Sequence, residues 1–193
     1  MTDNLVRSAF HQSILKPAHD DPDTVVLDEF ALRHGESRAD IAVLNGKLVG
    51  YEIKTEEDSL TRLKSQITAY SEVFDRAYLI SGKRHLDKIS VLAPDWWGIY
   101  EIEGNSSLYS FSLIREGKAN PKKDSYGIAH LLWKDEAIDL LVNLFSCKVR
   151  EKSTRDQLYN ILIDKCSSDE LSKIVIKCLK SRSGWRTNPT RLL

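Results

Sequence analysis

Two acids and a lysine are grouped around one tight turn in residues 38–54, and this grouping limits what the chain can become. The stretch reads Arg38-Ala-Asp-Ile-Ala-Val-Leu-Asn-Gly-Lys-Leu-Val-Gly-Tyr-Glu-Ile-Lys54. Asn45-Gly46 between two alternating apolar runs is a hairpin signal. Side chains alternate faces along a strand, so Glu52 and Lys54 leave the same face. Register decides whether Asp40 joins them. A two-residue Asn45-Gly46 loop would pair Leu44 with Lys47 and set Asp40 opposite Tyr51. A three-residue loop, Asn45 to Lys47, pairs Leu44 with Leu48 and Asp40 with Glu52. It leaves Ile41, Val43, Val49, Tyr51 and Ile53 for the other face, toward a core. The prediction is the three-residue loop with Gly46 at positive φ, or an equivalent one-residue bulge.

In that register two carboxylates and an ammonium meet at one point. Hard anionic oxygens of this kind suit Mg²⁺ or Mn²⁺, and a cation there prepares a water for attack on phosphate. Asp40 and Glu52 are the expected metal ligands, with the backbone carbonyl of Ile53 as a third. Lys54 is expected to stabilise charge and position water rather than act as a base, because two adjacent acids raise the pKa of an ammonium. Neither Asp40 nor Glu52 is expected to belong to the core. The competing reading is a salt-bridge cluster on a sheet edge.

The rest of the chain reads as α/β followed by helices. At 193 residues, one domain is the default. Hydrophobic residues make up 41% and charged residues 29%, which suits a soluble globular protein. No apolar run reaches membrane-span length, and the N-terminus lacks a signal-peptide pattern, so a cytoplasmic location and no membrane partner are expected. Cys147, Cys166 and Cys178 show no metal-ligand spacing and read as buried free thiols.

Residues 2–16 read as an amphipathic helix ended by Lys16-Pro17, and 25–32 as a strand carrying Asp28-Glu29. Asp58 or Ser59 is expected to cap a helix running to about Phe74. Strand-like runs follow at 77–80, 97–102 and 108–115. After a polar linker from Gly117, helices are expected at about 126–148, 154–166 and 168–182, the last two capped by Ser153 or Thr154 and by Ser167 or Ser168. The expected organisation is a core of residues 1–116, with four or five strands in a mixed sheet flanked by the N-terminal helix and the 59–74 helix, and a basic helical subdomain of residues 117–193. Residues 1–116 carry a net charge of −6 and residues 117–193 a net of +6, with no acid after Glu170. An acidic half repels phosphate, so the basic half is the natural neighbour for a nucleic acid, though a solvated helix face explains the asymmetry equally.

The helix after the hairpin carries Gln66 and Tyr70 one turn apart, with Arg62 one turn earlier. Asp40, Glu52-Ile53-Lys54 and Gln66-Ile-Thr-Ala-Tyr70 together resemble the PD-(D/E)XK nuclease superfamily, which has the restriction-endonuclease-like fold. Gln66-x-x-x-Tyr70 is similar to the motif of its RecB-type members. The string from Arg38-Ala-Asp through Gly50-Tyr-Glu-Ile-Lys-Thr, Asp58, Arg62-Leu63, Gln66 and Tyr70, with Pro94-Asp-Trp-Trp-Gly-Ile99, is similar to a bacterial and phage family in that superfamily. Ala39 stands where the strict motif has proline. The resemblance implies a metal-dependent nuclease that hydrolyses phosphodiester bonds, leaning toward DNA, with Asp40 and Glu52 on the metal and Lys54 catalytic. Glu29 is the candidate accessory ligand and catalytic acid, with Asp28 as the alternative, since alternation lets only one face the site.

Gln66 is expected to support the site. Arg62 and Arg38 are candidate phosphate contacts, and Tyr70 is either core or site. His85, with Lys83 and Arg84, is a candidate contact to a nucleic-acid backbone, as are Arg182, Trp185 and Arg186 in the basic C-terminal segment. Trp97 and Trp133 are expected in the core. The reading is compatible with a homodimer. The alternative is a non-catalytic nucleic-acid-binding or regulatory protein on the same fold, such as a phage or defence component. A weaker third is a protein-interaction module working through its helical tail.

Overall fold

The computed structural model describes residues 3–105, 108–150 and 152–182. Six strands form one mixed sheet in sequence order: β1 (Val25–Leu32), β2 (Ser37–Leu44), β3 (Leu48–Lys54), β4 (Arg76–Gly82), β5 (Gly98–Asn105) and β6 (Leu108–Arg115). The sheet is one strand larger than expected, because every apolar run found a neighbour. β1, β2 and β3 pair antiparallel, β3, β4 and β5 pair parallel, and β5 and β6 pair antiparallel. Parallel neighbours need a crossover between them. Helices α3 (Leu63–Val73) and α4 (Leu86–Leu92) supply the two crossovers.

Alternation along the strands builds a core on each face. Ile41, Val43, Ile53, Ile80 and Ile102 pack with Val6 and Phe10 of α1 (Asp3–Gln12). Ala42, Leu44, Leu48 and Leu79 pack with Tyr70, Val73 and Phe74 on the other face. That second core continues without a break into Leu132, Leu158 and Val175 of the C-terminal helices. The change of character near residue 116 is thus a change of secondary structure within one buried cluster. Gly50 lets the end of α3 approach β3, since a Cβ there would stand 2.6 Å from the Phe74 ring.

Local chemistry moved several helix ends. Asp58 accepts the Thr55 N–H at 2.7 Å and the Thr55 hydroxyl at 2.8 Å, so it closes a turn after β3 instead of capping a helix, and α3 begins only at Leu63. Pro17 does not simply end α1. It sits in the first turn of α2 (Lys16–Asp20), where a missing N–H costs nothing. The expected 126–148 helix is broken into α5 (Ser125–Ala129), α6 (Lys134–Asp139) and a wide turn of π-helix (Leu140–Leu144). Glu136 reaches back to the Trp133 N–H at 2.7 Å and starts a new helix there. The expected Thr154 and Ser167 caps are present on α7 (Arg155–Lys165) and α8 (Ser168–Ser181).

Trp97 is fully buried, but Trp133 is 60% exposed. It lies at the start of α6 with the Arg182 guanidinium 4.3 Å above its ring, and is not a core residue. The three cysteines are free thiols and only half buried. No helix among the described residues is long and apolar enough to cross a membrane.

Candidate functional site

The hairpin has the three-residue loop. Leu44 pairs with Leu48 and Ile41 with Tyr51, and Gly46 has φ +63°. The β2–β3 ladder ends at that last pair. Beyond it the Asp40 carboxylate takes the Ile53 N–H at 2.7 Å through Oδ2, so a side chain replaces the backbone as acceptor. Asp40 therefore reaches the C-terminal end of β3, where Glu52 and Lys54 lie.

The neighbouring pair distorts at the same level. Glu29 has φ +53°, a left-handed conformation that costs a non-glycine residue about 1–2 kcal/mol. Leu27 before it and Phe30 after it both join the α3-side core, so the alternation of β1 slips by one at Glu29. Ala39 and Ala42 show the same slip on β2 around Asp40. Asp28 pairs with Ile41 and Phe30 with Ala39, while no pairing forms between Glu29 and Asp40. Both acids thus stand at a shared break in two adjacent strands. Glu29 lines the cleft. Asp28, its sequence alternative, bonds His11 Nε2 at 2.8 Å.

Glu52 is 1% exposed and Lys54 6%, contrary to the expectation that Glu52 lies outside the core. Its Oε1 accepts from Lys54 Nζ at 2.6 Å and from Gln66 Nε2, and its Oε2 accepts from the Tyr70 hydroxyl at 2.6 Å. Tyr70 is both core and site, fully buried beside Trp97 with its hydroxyl on Glu52 and on the Tyr51 carbonyl. Burial raises its phenol well above the usual range, and the charges of Glu52 and Asp40 add to that. The Asp40 carboxyl is pushed up to about 8, first by burial and then by the charge of Glu52, against the pull of the Ile53 N–H. Gln66 Oε1 is buried and unbonded among the described residues. The side chain of Ile53 packs in the α1-side core, while its backbone holds Asp40.

Above this floor opens a polar cleft of about 340 Å³. Glu29, Arg38, Asp40, Arg62 and Gln66 line it, with Gly35, Glu36, Ser37 and Ser65. Five residues singled out in the sequence thus share one hollow. Arg38 donates to Glu29 at 3.2 Å.

Arg7 of α1 enters from the other side, and the sequence reading missed it. Its guanidinium donates to Glu29 at 2.6 Å, to Asp3 at 2.8 Å and to Asp40 at 3.4 Å. Burial opposes ionisation of Glu29, but the Arg7 bond and the charges of Arg7 and Arg38 outweigh it and hold that carboxyl below its usual range. The signal was present as Asp3, Arg7 and His11, spaced four apart in a polar row beside the apolar stripe of Val6 and Phe10.

Other expected contacts lie elsewhere. His85 is buried after β4 and lines a separate hollow with Arg84, Lys88 and Ser59. Arg182 is tied to Glu136 at 2.5 and 2.6 Å and to the Leu131 carbonyl at 2.7 Å, away from the cleft. These bonds fix the end of α8 and hold the Arg182 guanidinium apart from the cleft residues. Trp185 and Arg186 lie outside the described residues. Among the described residues, no group of three or more His, Cys, Asp or Glu side chains is arranged to hold a metal ion by itself.

The molecule is a mixed α/β protein with an acid-rich cleft at the interrupted end of a six-stranded sheet. The profile of the bacteriophage P4 protein cII family matches residues 9–188, and the chain belongs to that family. Protein cII of Enterobacteria phage P4 is 28% identical over 160 residues, covering 83% of this chain and 60% of that protein. The chain therefore spans less than two thirds of this relative's length. Among solved structures, a protein of unknown function from Silicibacter pomeroyi aligns with a TM-score of 0.44 and 16% identity, over 76% of this chain and 94% of that one.

Proposed function

We propose that this chain is a metal-dependent nuclease that hydrolyses phosphodiester bonds in DNA, on a core of the restriction-endonuclease type. One observation carries the reading: Asp40 is brought to the end of β3 by its bond to Ile53, where burial and then the charge of Glu52 raise its proton affinity, and Glu52 holds Lys54 at 2.6 Å. Two carboxylates in each other's field favour a cation.

The donors fit Mg²⁺ or Mn²⁺. A carboxylate offers about four lone-pair sites. Among the described residues, Glu52 uses three of them, leaving one on Oε2, and Asp40 Oδ1 has only the 3.4 Å contact to Arg7. Asp40 and Glu52 would hold the ion, with the Ile53 carbonyl and Glu29 as further oxygens. A bound divalent ion supplies charge neutralisation and a water of lowered pKa. Lys54 places a positive charge where the phosphate oxygens gain negative charge. Gln66 and Tyr70 fix the orientation of Glu52. Arg38 and Arg62, on the cleft wall, bind the neighbouring phosphates.

Arg7 favours the second reading, a non-catalytic nucleic-acid-binding or regulatory protein on the same fold. It already supplies Glu29 and Asp40 with a cation from within the chain.

Calorimetry with Mg²⁺ and Mn²⁺, wild type against Asp40→Ala, beside cleavage of linear, circular, single-stranded and branched DNA, decides between them. Metal binding lost in the variant together with metal-dependent cleavage by wild type supports the nuclease. Absence of both in wild type supports the binding protein.

A further inference from the structure

We propose that the tip of the β2–β3 hairpin and the exposed face of α8 form a second docking surface, one that holds the phosphate backbone of a nucleic acid. This goes beyond the cleft and does not depend on catalysis there.

The surface starts from the charge pattern of α8. Leu171, Val175, Ile176 and Leu179 are buried, which turns Lys173 and Lys177 outward one helical turn apart, with Lys180 in the next turn. No acid follows Glu170 in the chain. Packing of α8 on the second core brings this row to Gly46 of the hairpin, beside Lys47. Two adjoining hollows of about 360 and 200 Å³ result, sharing Gly46 and Lys173.

The lysines differ in how far they are compensated. Lys123 lies 2.6 Å from Asp75 and 3.7 Å from Asp169, so its charge is met. Lys180 donates to the Asp23 carbonyl, which carries no net charge. Lys47 and Lys177 form no ion pair within 4 Å among the described residues, and Lys173 meets only the charge of exposed Glu170 three residues before it. Lys47, Lys123, Lys173, Lys177 and Lys180 line the two hollows against Asp75 and Asp169, and this excess of ammoniums suits an extended polyanion, whose condensed counterions are released on binding. A membrane surface fits poorly, since the apolar side chains of α8 are already spent in the core.

Hairpin tip and Lys54 are seven strand residues apart, roughly 20 Å. A nucleic acid seated here leaves the cleft untouched, and the surface acts as an anchor.

The test is fluorescence anisotropy of labelled duplex and single-stranded DNA in EDTA, titrated with salt. Lys47→Ala/Lys173→Ala/Lys177→Ala is expected to weaken binding about tenfold at low salt and to lower the slope of log K against log salt by two to three. Circular dichroism melting confirms that the variants fold, and Lys173→Glu/Lys177→Glu gives a larger loss from the same face. Unchanged affinity and slope in the triple variant overturns the proposal. So does a loss confined to Arg38→Ala/Arg62→Ala, which places all binding in the cleft. Binding of polyglutamate but not of DNA overturns it in favour of an acidic protein partner.

Discussion

The Tyr70 hydroxyl, sealed in the core, donates to Glu52 Oε2 at 2.6 Å, so the orientation of a candidate metal ligand is set by a side chain that solvent never reaches. Removing that hydroxyl leaves a buried carboxylate oxygen short of a donor. Tyr70→Phe is expected to cost about 1–3 kcal/mol in urea unfolding and to keep the fold. On the proposed function it also lowers cleavage, because Glu52 is free to turn.

Lys54 and Glu52 form a buried pair, and breaking it strands a charge. Lys54→Met is expected to destabilise by about 3–5 kcal/mol. Glu52→Gln/Lys54→Met, which removes both charges, is expected to recover most of that loss. A double-mutant cycle in denaturant measures the coupling. If the double variant is no more stable than the single, the pair is not the source.

Burial and the charge of Glu52 oppose ionisation of Asp40. Its folded proton affinity exceeds its unfolded one, so its contribution favours folding at low pH and is lost as pH rises toward about 8. Asp40→Asn is expected to raise Tm at pH above about 7 and, on the proposed function, to abolish metal binding. A fall in Tm would mean that the Arg7 contact dominates.

Arg7 stands against Glu29 and Asp40, and Arg38 meets the other Glu29 oxygen. Arg7→Ala is expected to tighten Mg²⁺ or Mn²⁺ binding, since it removes a competing cation, and to lower the stability of the metal-free protein. Calorimetry reads the first and thermal melting the second. Weaker metal binding would show that Arg7 positions the carboxylates instead.

The His34 ring lies 4.6 Å from that of His130, tilted by 35°, joining the β1–β2 turn to the C-terminal helices. Burial holds both imidazoles below their usual range, and at His34 the charge of His130 adds to this. The folded state prefers them neutral. Stability from this contact is therefore complete above about pH 6.5 and is lost as pH falls below it. His130→Phe is expected to flatten the decline in Tm on acidification, and an unchanged decline would exclude the pair as its cause.

The hairpin register, the shared end of Glu52 and Lys54, the caps at Thr154 and Ser167 and the helical spacing of Gln66 and Tyr70 were all legible in the sequence. Each follows from contacts between residues a few positions apart, where turn geometry and period alone decide. The acid–acid–lysine grouping was legible for the same reason, since one tight turn brings it together.

Only the tertiary structure decided the rest. That Arg7 meets Glu29 across 22 residues, that Glu52 is buried rather than exposed, and that Glu29 and Asp40 share a break in the sheet all depend on how α1 and α3 cover opposite faces. Trp133 read as a core residue until packing left it exposed under the Arg182 guanidinium. Burial and long-range charge are properties of the assembled faces, and local periodicity does not encode which helix comes to lie on which face.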